Sequence, residues 1–96
     1  MSGGKPDSPE TTGELLEFPC HIDVKATGRA EAGFETLVLE IVRRHIADFD
    51  DNAVSTRPSR NGNYLAVTVR VYARSREQID AVYRDLTAHD RVIIAL

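Results

Sequence analysis

The 96-residue chain has a single cysteine, Cys20, so no disulfide can form within it. No stretch approaches the roughly 20 consecutive apolar residues of a membrane-spanning helix, and the N-terminus lacks the basic flank and apolar run of a secretory signal. A soluble protein in a reducing, cytoplasmic compartment is expected, with no membrane partner. The three histidines, His21, His45 and His89, have no ligand spacing among themselves or to the cysteine, which argues against a metal site. A G-x-S-x-G elbow, a P-loop and a dinucleotide fingerprint are all missing, so no cofactor and no catalytic residue set is expected. Cys20 falls on a strand position facing the core, where a small buried thiol is the expected role, not a nucleophile.

Hydrophobic residues at 42% and charged residues at 28% are ordinary for one small globular domain. A net charge of -3 gives no global pull toward nucleic acid, so any partner must be recognised by local charge. Residues 1–14, "MSGGKPDSPETTGE", are rich in Gly, Pro, Ser and Thr and offer almost nothing to bury. They read as a disordered tail, and residues 15–96 as the single domain.

Cys20, Ile22, Val24 and Ala26 alternate with His21, Asp23, Lys25 and Thr27, the period of a half-buried strand that Gly28 should end. Phe34, Leu37, Val38, Ile41, Val42 and Ile46 then follow helical spacing, with acids near the start and bases near the end. A short strand from about Ala53 to Ser59 precedes a clearly alternating one, in which Leu65, Val67, Val69 and Val71 share a face. Ser75 with Gln78 forms a capping box for a second helix reaching about His89, and "RVIIAL" closes the chain as a fourth strand. The order β-α-β-β-α-β predicts an α+β, ferredoxin-like sandwich: a four-stranded antiparallel sheet with both helices on one face. Strands one and three should be central, leaving His21, Asp23, Lys25 and Thr27 beside Tyr64, Thr68, Arg70 and Tyr72 on a bare face.

Asn61-Gly62 invites a two-residue hairpin turn, but that register makes Pro58 and Leu65 a hydrogen-bonded pair, and proline has no N–H to donate. A four-residue loop between paired Ser59 and Tyr64 instead turns the Pro58 nitrogen outward from an edge strand, where proline is tolerated. Val54 should then face the core with Val69 and Thr56 with Val67, while Arg57 joins the bare face beside Ala66.

From Asn52 to Arg76 the chain carries five arginines (Arg57, Arg60, Arg70, Arg74 and Arg76) and no acid. One reading is an edge that meets an anion, whether phosphate, nucleic acid or an acidic protein. The more general reading is charge that solvates an edge strand and blocks aggregation. Lys25, Arg57, Arg60, Tyr64, Arg70 and Tyr72 are the candidate interaction surface. At the end of strand one, Thr27, Gly28 and Arg29 lead into a helix N-terminus and form a second, ligand-binding candidate, set against a plain strand-to-helix turn.

"GRAEAGF" (residues 28–34) loosely resembles the phosphate loop of acylphosphatases, which share this topology, but Glu35 stands where their phosphate-holding arginine belongs. Aromatics on a bare four-stranded sheet also raise the RNA-recognition layout. The segment "NYLAVTVRVYA" lacks that module's glycine-and-aromatic pattern, so base stacking ranks low.

"LLEFP" (residues 15–19), Gly28, "PSRNGNY" (residues 58–64), Gln78 with Tyr83 and Leu86, and the closing "VIIAL" together resemble the YbeD-like family of small bacterial proteins, a domain of unknown function. The resemblance covers residues 15–96. It implies a βαββαβ fold similar to ACT regulatory domains, which bind amino acids near the turn corresponding to Thr27–Gly33 and commonly pair through sheet edges or helices. It also implies a metabolic regulator, because the family's genes are often found near lipoate-attachment genes. The expectation is therefore a non-catalytic regulatory or interaction module that binds a small metabolite or a metabolic-enzyme partner. Weak nucleic-acid or anion binding by the arginine-rich edge is the alternative, and acylphosphatase-like hydrolysis ranks last. Homodimerisation through an exposed edge strand is left open.

Overall fold

Valine and alanine at every second position build the centre of the sheet. In the computed structural model, which describes residues 17–96, strand β1 (Cys20–Arg29) runs antiparallel to β3 (Tyr64–Ala73), from Cys20 opposite Ala73 to Arg29 opposite Tyr64. Val24 and Ala26 of β1 and Val67, Val69, Val71 and Ala73 of β3 are fully buried. β-Branched side chains fit this pleated surface well, and each buried one contributes on the order of 1.5–3 kcal/mol.

Helix α1 (Phe34–Arg43) and helix α2 (Arg76–Ala88) cover that face, burying Phe34, Val38, Ile41 and Val42 from the first and Ile79, Val82 and Leu86 from the second. Strands β2 (Val54–Pro58) and β4 (Val92–Ala95) complete the sheet in the order β2-β3-β1-β4, which is the ferredoxin-like arrangement with β1 and β3 central. Residues 1–14 lie outside the described residues.

Several local expectations shift. Gly28 does not end β1, which continues to Arg29. A Cβ on Gly28 would stand 2.3 Å from the Arg91 carbonyl oxygen and 2.5 Å from the Phe34 ring, so this glycine lets the ring and the strand backbone pack together. Cys20, opposite Ala73 at the first position of the strand, is half-buried where full burial was expected. Thr56 pairs with Val67 as expected but is exposed, because β2 is an edge strand at the margin of the helical layer.

Regular α1 stops at Arg43, although the apolar spacing runs on to Ile46. The last turn tightens: the Arg44 N–H is shared between Glu40 and Ile41 carbonyls, and the His45 N–H bonds to Val42. The Ile46 N–H still reaches Val42 at 2.8 Å, which keeps that side chain in the core. Gln78 supplies the cap, donating from Nε2 to the His45 carbonyl at 2.9 Å. The Ser75 Oγ accepts the Gln78 N–H at 3.2 Å, as a capping box requires, while Gln78 Oε1 accepts from Arg74, one residue upstream of the expected reciprocal partner.

The hairpin has the four-residue loop that Pro58 demands. The Ser59 N–H bonds to the Tyr64 carbonyl at 2.8 Å, and the Ser59 carbonyl is taken by Gly62 at 2.9 Å. Ser59 Oγ therefore accepts the Tyr64 N–H in place of that carbonyl, at 3.0 Å, and donates to Asn61 Oδ1 at 3.2 Å. Gly62 sits at φ 79°, a left-handed conformation that favours glycine.

Candidate functional site

The period-2 alternation that buries one face leaves the other open in ordered rows. Across β1 and β3 the rows are His21 with Tyr72, Asp23 with Arg70, Lys25 with Thr68, Thr27 with Ala66, and Arg29 with Tyr64. β2 adds Ser55 beside Thr68 and Arg57 beside Ala66. β4 places Ile94 opposite Thr27, and Leu96 exchanges backbone hydrogen bonds with Lys25 at 2.8 and 3.1 Å. Gly28 pairs with Val92, so Ile93 is an extra residue in β4, a bulge that leaves Ile93 and Ile94 both about half exposed.

The face divides into two ends. At one, the His21 and Tyr72 rings lie 5.0 Å apart at a tilt of 55°, beside an open depression of about 230 Å³ bounded by Asp48, Phe49 and Arg70. Further along, a depression of about 320 Å³ is lined by Lys25, Ser55, Arg57, Ala66 and Thr68. It adjoins a smaller one of about 150 Å³ that shares Arg57 and Ala66 and is bounded by Thr27 and Tyr64. Ala66 is the cause of both, since a methyl side chain stands where its neighbours in β3 are larger.

The arginine-rich stretch is partly neutralised by acids from elsewhere in the fold. Arg70 Nε lies 3.7 Å from Asp23 Oδ1, and Arg74 donates to Asp48 Oδ2 at 3.3 Å. Both pairs are exposed and contribute little stability. Arg57 on the open face and Arg60 in the hairpin loop meet no carboxylate among the described residues. The structure thus gathers Lys25, Arg57 and Tyr64 around neighbouring depressions, sets Arg70 and Tyr72 at the other end of the face, and leaves Arg60 outside.

The strand-to-helix turn is already occupied by a protein cation. Arg91 Nη2 donates to the Ala32 carbonyl at 3.1 Å and lies 3.5 Å from Glu31 Oε1. Gly28 is packed under Phe34, Thr27 faces the open sheet, and Arg29 is exposed opposite Tyr64. Thr27, Gly28 and Arg29 therefore do not converge on one cavity. Arg91 and Ser55 were missed as site neighbours. The signal for Ser55 was its alternation with Arg57, whereas Arg91 meets the turn only once β4 lies beside β1.

Two polar contacts lie away from this face. His45 Nε2 donates to Asp85 Oδ2 at 2.7 Å, and that hydrogen bond, aided by the charges of His45, Arg44 and Arg84, holds the Asp85 carboxyl below its usual range against the opposing effect of burial. Tyr83 donates its hydroxyl to the Leu96 main-chain oxygen, and burial, with Asp23 adding to it, raises its pKa. Among the described residues, no group of three or more His, Cys, Asp or Glu side chains is placed to hold a metal ion, and no helix is long and apolar enough to cross a membrane.

Three comparisons place the chain among known proteins. Its residues 13–96 match the family described as protein of unknown function (DUF493). A UPF0250 protein of Neisseria gonorrhoeae is 42% identical over 87 residues, covering 91% of this chain and 96% of that protein. Another from Nitrosomonas europaea is 41% identical, covering 90% of this chain and 99% of its own. The solution structure of protein HP0495 from H. pylori superposes with a TM-score of 0.66 at 13% identity, over 100% of this chain and 98% of that one, a likeness of fold. With nearly the whole chain matched by the family and by relatives at about 40% identity, the protein belongs to the DUF493/UPF0250, YbeD-like family of small bacterial proteins of unknown function.

Proposed function

We propose that the chain is a non-catalytic binding module that holds a small metabolite on the open face of its sheet and serves as a regulatory element. The observation that carries this reading is the placement of the depressions. All three lie on or at the margin of the face that the helices leave bare, and two adjoin each other over Ala66. Ligand sites are concave and few, with a small number of placed polar groups, and this face is where the described residues provide them. The strand-to-helix turn is the weaker location because Arg91 already occupies its carbonyl.

A thermal-shift screen of amino acids, lipoate-like acids and phosphorylated metabolites tests the reading, followed by amide chemical-shift mapping of any hit. Stabilisation with shifts on β1 and β3 supports it. A ligand that maps to the outer surface of α1 and α2, or no stabilising compound at all, overturns it.

Nucleic-acid binding by the arginine-rich edge has less support, because Asp23 and Asp48 already engage two of its arginines. Steep salt dependence of single-strand binding is the signature that would favour it.

A further inference from the structure

We propose that the open face carries a cradle for a phosphoryl group, formed by Lys25 and Arg57 over Ala66, which gives the ligand class for the binding reading above and rests on it. The cross-strand register makes the geometry. Lys25, Thr68 and Ser55 form one row across β1, β3 and β2, and Thr27, Ala66 and Arg57 form the next. Six side chains on one face thus make a two-by-three grid, with a hydroxyl at three positions and a cation at two opposite corners.

With neighbouring strands about 4.8 Å apart and alternate residues about 6.8 Å apart, the two cationic corners are roughly 12 Å apart at the backbone. Lysine and arginine stems are long enough for both heads to converge over the gap that Ala66 leaves. That gap is the depression of about 320 Å³, lined by Lys25, Ser55, Arg57, Ala66 and Thr68, and no carboxylate lines it. Asp23, the nearest acid along β1, is engaged by Arg70 on the adjacent strand. Neither Lys25 nor Arg57 meets a carboxylate among the described residues.

The chemistry of the lining selects the ligand. A guanidinium presents two parallel N–H groups to two phosphoryl oxygens, an ammonium supplies a compact second charge, and hydroxyls complete the oxygens from the floor. Two cations balance a dianion. A nucleic-acid strand running along the face would need further cations in both directions, and toward His21 the next one is Arg70, which is paired with Asp23. The occupant is therefore a small phosphorylated molecule.

The test is an amide-resolved NMR titration of the full chain with pyrophosphate and with inorganic phosphate, at low salt against sodium chloride of equal ionic strength. The expected result is saturable shifts on Lys25, Ser55, Arg57, Ala66 and Thr68, with a dissociation constant on the order of a millimolar or tighter. Lys25→Gln and Arg57→Gln should each weaken binding about tenfold or more, while Arg60→Gln, which removes the same charge from the hairpin loop, leaves it within about twofold. Spectra of each variant establish that it is folded.

Equal losses in all three variants, or shifts that sodium chloride reproduces, overturn the cradle. So does tighter binding of a single-stranded oligonucleotide with shifts spread over Arg60 and Arg74. A small ligand that maps to His21 and Tyr72 overturns the cradle while the open-face reading stands, whereas a ligand seated on the helices overturns both.

Discussion

Asp85 accepts a 2.7 Å hydrogen bond from His45, and that contact ties the end of α1 to the last turn of α2. The carboxylate form is the one that the bond stabilises, so the Asp85 carboxyl titrates below its ordinary value of 3.8. A carboxyl with a lowered folded-state pKa contributes stability that is fully present above the unfolded value and is lost as the pH falls through the folded one. Asp85→Asn should therefore lower the urea midpoint at neutral pH, and the gap between variant and parent should narrow as the pH falls below 3.8. A gap that stays constant down to pH 2 would show that the carboxylate charge is not the source.

Gln78 fastens the same helix end by another route, with one amide serving the Arg74 N–H and the His45 carbonyl together. Removing it leaves both backbone groups without those partners, at a cost of about 1–3 kcal/mol. Gln78→Ala should lose that much in chemical denaturation, and the double variant with Asp85→Asn should depart from additivity, because both side chains hold the stretch around His45. A simple sum would show that they act independently.

Two glycines provide a contrast in which one substitution acts through different physics. At Gly28 the added methyl meets the Arg91 carbonyl and the Phe34 ring, both well inside van der Waals contact, so Gly28→Ala should destabilise by about 1–3 kcal/mol or more. At Gly62 nothing lies within 4 Å, and the cost comes from φ 79° alone, on the order of 1 kcal/mol. Gly62→Asn should recover much of the loss from Gly62→Ala, since asparagine tolerates this conformation, while no side chain rescues Gly28. Equilibrium unfolding of the three variants decides it.

How far the fold was legible follows from the same distinction between local and distant causes. The alternation of Val67, Val69 and Val71 placed β3, and the missing N–H of Pro58 settled the hairpin loop, because both act within a few residues. What the pattern did not show were contacts made by tertiary neighbours. Asp23 and Asp48 neutralise Arg70 and Arg74 from other parts of the chain, Arg91 enters the β1–α1 turn from beside β4, and Gln78 caps α1 from α2. The five-arginine stretch was thus visible as a local excess, while the pairing of Arg70 and Arg74 with acids from elsewhere depended on which parts of the chain meet. Lys25, Arg57, Tyr64, Arg70 and Tyr72 were legible as one face, but the grouping of Lys25 and Arg57 over Ala66 needed the three-strand register.

Pro58 also bears on how the edge of the sheet behaves. Ser59 directs its N–H inward to the Tyr64 carbonyl, so the neighbouring Pro58 nitrogen points outward from β2, where an N–H would be free to pair with another strand. Proline at that position withholds the donor, and the adjacent Arg57 adds charge to the same edge. Pro58→Thr restores the donor with a residue that suits extended backbone, so the domain should keep its fold and its sensitivity to urea while gaining an edge that can template pairing. Light scattering over a concentration series is expected to show more association than the parent chain at each concentration, with no change in the urea m-value. Equal association at every concentration would mean that Arg57 and the shortness of the strand already suffice to protect the edge.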